Sequence, residues 1–158
     1  MTSDDEGKAR TVKKSFSRET SVAISIGASA DTVWRILTNA ADYPAWTATV
    51  RSIDGEIALG RRIVLRSALD EKRSFRLTVL EALPPKRLVW GDGQGKRVFT
   101  LTPQGPNNVR FTMTERIGGA LFPLYGRFIP SFDESFERFS ADLKGAAETT
   151  ILPESGTP

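Results

Sequence analysis

Two residue types that often take part in catalysis and metal binding are absent from this chain. Its 158 residues include neither cysteine nor histidine. Thiolate catalysis, serine–histidine triads, iron–sulfur clusters and zinc sites built on cysteine or histidine are therefore excluded. Acid–base or electrostatic catalysis would have to use carboxylates, arginine, lysine, tyrosine or serine, several of them with shifted pKa values. We expect no metal site and no cofactor.

Arg97 and Glu115 are the strongest candidates, because strand alternation places both on the apolar face of a predicted hairpin. If Leu101 lies opposite Phe111, the same register places Arg97 opposite Glu115. A buried charge without a partner costs much free energy, so mutual pairing is one interpretation. In the other, Arg97 anchors a ligand carboxylate or phenolate, and Glu115 is an acid or base with a raised pKa.

Tyr125 is the third candidate. It lies in the apolar stretch before Pro130, which must kink or interrupt any helix that passes through it. The tyrosine could gate an opening or donate a hydrogen bond to a ligand. Its other interpretation is an amphipathic residue at the rim of the fold.

Apolar side chains on the inner faces of the predicted elements complete the candidate site. Small-molecule pockets are lined mainly by apolar and aromatic residues, with few polar groups. The predicted ligand-binding residues are Trp46, Phe75, Leu77, Trp90, Arg97, Phe99, Phe111, Met113, Glu115, Tyr125, Phe128, Phe132 and Phe136. Core packing is the alternative interpretation of the same aromatic pattern.

The elements that must position these residues begin with a strand and a short helix. Residues 21–26 alternate between apolar and polar, which is typical of a half-buried strand. Ser29 is a suitable N-cap for a helix that ends near Asn39. Pro44 cannot continue that helix smoothly, so a tight turn or a second short helix is expected there.

The rest of the domain reads as a sheet followed by one long helix. The predicted strands are Arg51–Ile57, Arg62–Ser67, Lys72–Leu83, Arg87–Gly91, Lys96–Thr102 and Asn108–Arg116. A capping box opens at Ser131, and an apolar stripe then predicts a helix over Ser131–Glu148. We expect an α+β fold, in which a strongly curved antiparallel sheet of about six to seven strands wraps around this helix.

The length indicates one domain with short charged or polar ends. We expect a flexible leader over residues 1–20, the domain over 21–150 and a flexible tail over 151–158. No apolar run approaches the ~20 residues that cross a bilayer, and no signal peptide is visible. The expectation is a cytoplasmic protein without stable membrane insertion.

The charge is modest and unevenly distributed. A formal charge of +3 is too small to indicate nucleic-acid binding. The Arg61–Arg97 region holds ten basic residues against four acidic ones, whereas residues 131–158 hold six acidic residues against two basic ones. Solvated surface and internal pairing are one interpretation, and a protein partner on the basic region is the other. Monomer and homodimer both stay open.

Five stretches resemble the START-like superfamily, also called SRPBCC, whose members share the helix-grip fold. They are Ile26–Trp34, Asp42–Trp46, Leu88–Trp90, Phe99–Pro103 and Val109–Glu115. The resemblance covers residues 21–148 and implies a deep apolar cavity between the sheet and the long helix, holding a lipid, polyketide, sterol or other hydrophobic molecule. One departure is Thr47-Ala48, where the family often has Asn-Pro.

We therefore expect binding or carriage of a small hydrophobic ligand, such as a lipid, a polyketide or another aromatic metabolite. One alternative is a cyclase- or dehydratase-like enzyme that uses Glu115, Tyr125 or Arg97 without metal, thiol or histidine chemistry. Another is a chaperone-associated protein-interaction module, as in some members of the superfamily. No cluster matches a dedicated cyclase or hydrolase site, which favours binding over catalysis.

Overall fold

Eight antiparallel strands form a curved sheet that does not close, and a long helix lies across its concave face. The computed structural model describes residues 5–155. The strands are β1 (Arg10–Lys13), β2 (Ser17–Ile26), β3 (Val50–Asp54), β4 (Arg62–Ser67), β5 (Ser74–Leu83), β6 (Arg87–Gly91), β7 (Gly95–Gly105) and β8 (Asn108–Gly118). Their order is β1-β2-β8-β7-β6-β5-β4-β3, so β1 and β3 are the edges.

The helices connect and cover this sheet. They are α1 (Ala30–Thr38), α2 (Tyr43–Trp46), α3 (Phe122–Tyr125) and α4 (Asp133–Ser155), with 3₁₀ turns at Ala40–Asp42 and Gly126–Phe128. The predicted helix-grip fold is confirmed, with eight strands in the sheet rather than the expected six to seven. No helix within residues 5–155 is long and apolar enough to span a membrane.

Two predicted boundaries need correction at the ends of the chain. The first predicted strand begins at Ser17 rather than residue 21, and Arg10–Lys13 forms a strand that the sequence pattern does not predict. Part of the expected leader over residues 1–20 therefore belongs to the sheet, while residues 1–4 lie outside the described residues. α4 continues past Glu148 to Ser155, into the expected tail over 151–158, of which residues 156–158 are not described.

The register predicted for the β7–β8 hairpin is confirmed. Leu101 lies opposite Phe111, and two residues away on each strand Phe99 lies opposite Met113. The next inward-facing pair is Arg97 opposite Glu115. Because side chains on one face recur every second residue, one correct pair sets the whole ladder.

The inner face of the sheet changes from apolar to charged along the strands. The row that crosses the sheet at Met113 is apolar: Val22, Met113, Phe99 and Leu88. The next row contains Thr20, Glu115, Arg97 and Trp90, and the one after it begins with Arg18 and Ile117. We call the side of the Met113 row, where apolar pairs continue to Val109, the packed end, and the side of the Glu115 row the charged end.

α4 covers the packed end with the apolar stripe that its sequence predicts. Phe136, Phe139, Leu143 and Ala147 are all buried. The predicted cap is present at Ser29, but the predicted capping box at Ser131 is not formed, because α4 begins at Asp133 and the Ser131 hydroxyl contacts the N–H of Asp133 rather than that of Glu134. The Ser29 Oγ accepts a hydrogen bond from the backbone N–H of Thr32 at 3.1 Å, and the Ser131 Oγ accepts one from Asp133 at 3.3 Å.

Candidate functional site

At the charged end, a cavity of about 240 Å³ lies between the sheet, the start of α4 and the segment that precedes α4. We call that segment, residues 119–132, the covering segment. The cavity is lined by Thr49, Val50, Leu65, Ser67, Leu69, Asp70, Arg73, Phe75, Leu77, Trp90, Gly91, Asp92, Gln94, Gly95, Arg97, Glu115, Ile117, Phe128, Ile129, Pro130, Phe132 and Ser135. Its wall therefore combines aromatic rings with several charged side chains.

The central charged feature of the wall is the predicted ion pair. The Arg97 Nε donates to the Glu115 Oε1 at 3.0 Å, and each side chain is 17% exposed. Neighbouring strands hold both residues directly opposite one another, so the backbone ladder fixes the geometry. The predicted Arg97–Glu115 pair is therefore present, and it lies in a wall that also holds aromatic rings and the charged side chains of Asp70, Arg73 and Asp92.

Arg18 links the covering segment to β2 at this end. It is only 7% exposed, and its Nη1 and Nη2 donate to the carbonyl oxygens of Ile129 at 3.1 Å and Pro130 at 2.8 Å. Burial lowers the pKa of Arg18, while the carboxylates of Glu115 and Asp133 oppose that shift. The side chain thus joins β2 to the backbone that roofs the cavity.

Two arginines and two phenylalanines form a stacked ladder between the sheet and α4. The Phe132 and Phe136 rings are 6.0 Å apart and 5° from parallel. The Arg18 guanidinium lies 4.7 Å from the Phe132 ring centre, and that of Arg97 lies 5.0 Å from the Phe136 ring centre. Each such cation–π contact stabilises the fold by about 0.5–1 kcal/mol. The two arginines of the sheet therefore hold Phe132 and the first turn of α4 against it.

The mouth of the cavity carries a third arginine. The Arg73 guanidinium lies 5.1 Å from the Phe75 ring centre, and both residues line the cavity. The parity of β5 predicts this position, because Arg73 shares a face with Phe75. Arg76, on the opposite face, is exposed as expected.

Seven of the predicted ligand-binding residues lie in the cavity wall. They are Phe75, Leu77, Trp90, Arg97, Glu115, Phe128 and Phe132. The other six, Trp46, Phe99, Phe111, Met113, Tyr125 and Phe136, do not line it.

Close packing by α4 explains why most of those six lie in the core. The Phe139 ring centre lies 5.9 Å from that of Phe99, 6.3 Å from that of Phe111 and 5.2 Å from that of Trp46. Tyr125 instead packs edge-on against Phe122 at 5.5 Å, away from the cavity wall. For the core residues, the packing interpretation describes what the structure shows.

Tyr43 is a further interior tyrosine, and its role is structural. Its side chain is fully buried and its hydroxyl donates to the Leu37 carbonyl oxygen at 2.7 Å. Burial raises the pKa of Tyr43, and the nearby Arg97 charge opposes that shift only partly. The hydroxyl therefore stays protonated and fixes α2 against α1.

Sequence reasoning missed Arg18 because it lies within the expected leader. The signal was present, since extending the alternation of Val22 backwards places Thr20 and Arg18 on the inner face. No group of three or more carboxylate side chains within the described part of the chain is placed to hold a metal ion.

Solved structures share this architecture. A START superfamily protein from Mycobacterium smegmatis is 15% identical, with a TM-score of 0.61, covering 84% of this chain and 98% of that one. Norcoclaurine synthase from Thalictrum flavum, in complex with a transition-state analogue, is 10% identical, with a TM-score of 0.65, covering 90% of this chain and 98% of that one. At these identities the likeness shows the fold alone.

The sequence itself matches a family. No curated protein matches it. The family profile described as Activator of Hsp90 ATPase homolog 1-like protein matches residues 27–147, which is most of the chain and includes both members of the Arg97–Glu115 pair. The expected START-like resemblance is confirmed. The chain belongs to the Activator of Hsp90 ATPase homolog 1-like family within this superfamily.

Proposed function

We propose that the chain binds a small, mainly apolar molecule in the cavity at the charged end. The observation that carries this proposal is the composition of the wall, where Trp90, Phe75 and Phe132 surround the Arg97–Glu115 pair. Apolar walls with a few fixed polar groups are the usual form of a ligand site. The aromatic rings would supply affinity, and the ion pair would orient the ligand.

The cavity volume supports a compact ligand. About 240 Å³ is below the ~300–1,000 Å³ of pockets for drug-sized molecules. It equals the volume of about eight waters at ~30 Å³ each. One or two fused rings fit this space, whereas a sterol or a long acyl chain would require the covering segment to move.

The polar wall supports a ligand with an oxygen acceptor. Arg97 uses its Nε for Glu115, and its Nη atoms have no hydrogen-bond acceptor among residues 5–155. These N–H groups are the natural partners of a ligand carboxylate or phenolate. We therefore propose an aromatic acid or phenol as the ligand class.

Thermal denaturation with a panel of ligands tests the proposal. The panel contains mono- and bicyclic aromatic acids, their neutral amides, a fatty acid and a sterol. A compact acid at a hundredfold excess over its Kd should stabilise the fold by ~2.7 kcal/mol, which raises Tm by about 5–10 °C. No shift with any member, or equal shifts for acids and amides, would contradict the ligand class.

A cavity-filling variant separates this site from surface binding. Ser135 lines the cavity, whereas its neighbour Glu134 is exposed. The Ser135→Phe variant should lose ligand binding, and the matched Glu134→Phe control should keep it. Arg97→Met should weaken the acid at least tenfold and leave its amide unchanged. Binding that survives Ser135→Phe would place the ligand elsewhere.

Catalysis ranks below binding because the candidate groups are engaged or misplaced. The Glu115 carboxylate already accepts from Arg97, and Tyr125 does not line the cavity. Likeness to norcoclaurine synthase shows fold alone. If an enzymatic turnover is found, Glu115→Gln should abolish it. Unchanged turnover in that variant would remove the acid–base role.

A protein partner is the second candidate, and the outer face of β4 and β5 favours it. Arg62 and Arg66 are exposed on β4, and Arg76 lies between them on β5, opposite Val64. The family description, which names an activator of an ATPase, agrees with an interaction role. Replacing the three arginines with glutamate should abolish a salt-sensitive pull-down of an acidic partner. A pull-down insensitive to salt would argue against this surface.

A further inference from the structure

Two loops next to the cavity meet to form one surface. The turn between β1 and β2 is closed by a hydrogen bond from the Lys14 N–H to the Ser17 carbonyl oxygen at 2.7 Å. The Gly119 N–H, at the start of the covering segment, donates to the Phe16 carbonyl oxygen at 3.0 Å. A Cβ on Gly118 would lie 2.5 Å from that oxygen, so the loops touch without space between them.

Apolar side chains project from both loops. Phe16 is 59% exposed, Leu121 is 65% exposed, and Leu124 and Phe128 are each 71% exposed. Single exposed apolar residues are ordinary, but four on two adjoining loops indicate an interaction site.

The covering segment, which carries Leu121, Leu124 and Phe128, is itself anchored at α3. Phe122 is buried, and a Cβ on Gly126 would lie 2.7 Å from its ring, so the two are in close contact. Leu121, Leu124 and Phe128 therefore project from a packed support rather than from a loose chain.

Positive charge lies beside the apolar side chains, and the Arg127 guanidinium is 4.9 Å from the Phe128 ring centre. A groove of about 410 Å³ between the two loops is lined by Lys13, Lys14, Arg18 and Arg127, with Asp133 as its one acidic residue. Lys13, Lys14 and Arg127 make no ion pair with any residue in the described range 5–155. Lysine and arginine side chains close to an anionic lipid surface strengthen binding to it.

We propose that this surface docks the protein reversibly onto an anionic membrane. We call it the tip surface: Phe16, Leu121, Leu124 and Phe128 with Lys13, Lys14 and Arg127. Projecting apolar side chains next to lysine and arginine match the interface of a bilayer, where apolar groups enter ~5–10 Å and cations meet the lipid phosphates. A protein partner would instead need about 800 Å² of complementary surface on each side.

The position of the tip surface connects it with the cavity. Phe128 belongs to the tip and also lines the cavity, and Ile129 lines both the cavity and the basic groove. Docking would bring the mouth of the cavity to the lipid surface. The docking proposal does not depend on the ligand, because vesicle binding and ligand binding are measured separately.

Vesicle co-sedimentation tests the proposal with the full chain. Vesicles of phosphatidylcholine alone are compared with vesicles in which about a third of the lipid is phosphatidylglycerol. We expect binding to the anionic vesicles at low salt, and a decrease as salt screens the charges. The variants Leu121→Asp with Leu124→Asp, neither of which lines the cavity, and Lys13→Glu with Lys14→Glu, should each weaken binding at least tenfold.

Matched controls lie away from the tip surface, in the loop before β4 and in the turn between β5 and β6. Leu59 is as exposed as Leu121, at 65%, and Leu59→Asp should leave vesicle binding unchanged. Arg61→Glu with Lys86→Glu makes the same change in net charge as the lysine pair and should weaken binding less than twofold. Urea unfolding of the tip variants should match the parent chain, because their side chains are exposed.

Three outcomes would overturn the proposal. They are no binding to anionic vesicles at low salt, equal weakening by tip and control variants, and a concentration-dependent dimer that Leu124→Asp abolishes. The last outcome would make the tip surface an interface between two copies of the chain. Aromatic-acid binding that persists in the tip variants would show that failure here leaves the cavity proposal intact.

Discussion

The packed end and the charged end differ although the same two strands build both. At the packed end, Phe99 lies opposite Met113 and both are fully buried. Two residues along each strand, Arg97 lies opposite Glu115 and the pair borders a cavity. The backbone ladder is continuous through both pairs, so it does not cause the difference.

The difference comes from the side chains that α4 and the covering segment place over each pair. Phe139 packs against Phe99 and closes the packed end. Over the charged end, Phe132 and Ser135 line the space instead of filling it. Close packing concentrates stability at one end, while the other end has room for a ligand.

The largest expected effect on the free energy of unfolding comes from removing a buried ring at the packed end. Phe139→Ala removes a fully buried ring that contacts four other aromatic rings, those of Tyr43, Trp46, Phe99 and Phe111. We expect the free energy of unfolding to fall by about 3–5 kcal/mol in urea titrations. Phe132→Ala, at the charged end, should cost about 1–2 kcal/mol, since that ring is only partly buried. Equal losses would mean that the two ends do not differ in packing.

The next largest effect is expected when the covering segment loses its hydrogen bonds to Arg18 on the sheet. Arg18→Met removes two hydrogen bonds from a charged donor to the Ile129 and Pro130 carbonyl oxygens, which should cost about 2 kcal/mol. Amide hydrogen exchange should accelerate in the covering segment and stay slow in the β7–β8 hairpin. Arg18→Lys keeps the charge but not the forked geometry, so exchange should be intermediate. Uniform acceleration across the chain would show that Arg18 supports the whole fold.

A double-mutant cycle measures the ion pair of the charged end. Arg97→Met and Glu115→Leu should show a coupling of about 1–2 kcal/mol, because the pair is largely shielded from water. The exposed Arg51–Glu71 pair should show at most about 0.5 kcal/mol in a matching cycle. Equal couplings would mean that solvent in the cavity screens Arg97 and Glu115 as bulk water would.

Local periodicity predicts the framework of both ends. The alternation of Phe99 and Leu101, and of Phe111 and Met113, determines the register that brings Arg97 to Glu115. These features depend on neighbouring residues along one or two strands, which the sequence displays directly. The bounds of β4 and β6 are predicted without change for the same reason.

The division of the aromatic residues between core and cavity is not a local property. Phe111 and Phe132 both carry apolar rings at inward positions, yet one is core and the other lines the cavity. The outcome depends on how far α4 lies from the sheet at each level. β1 is missed for a different reason, because its one apolar side chain, Val12, is exposed and its place comes from backbone pairing with β2.

The smallest expected effect on stability concerns the hydrogen bonds by which Glu148 holds α4 at the packed end. The Glu148 Oε2 accepts hydrogen bonds from the Lys144 Nζ at 2.6 Å and the Gly27 N–H at 2.8 Å. The Lys144 hydrogen bond, aided by Gly27, lowers the pKa of Glu148 below its ordinary value of 4.5, against the opposing effect of burial. Because the folded pKa is depressed, its stabilisation is present above pH 4.5 and is lost as the pH falls through the folded value.

Glu148→Gln should therefore destabilise the chain by about 0.5 kcal/mol at neutral pH, a small loss because the carboxylate is over a third exposed. The difference from the parent chain should vanish in urea titrations well below pH 4.5. Glu134→Gln, which changes an exposed residue of the same helix, should leave the free energy of unfolding at neutral pH nearly unchanged. Because Glu148 ties only the packed end, ligand affinity at the charged end should be unchanged. A change in that affinity would show that α4 transmits a shift along its length and that the two ends are coupled.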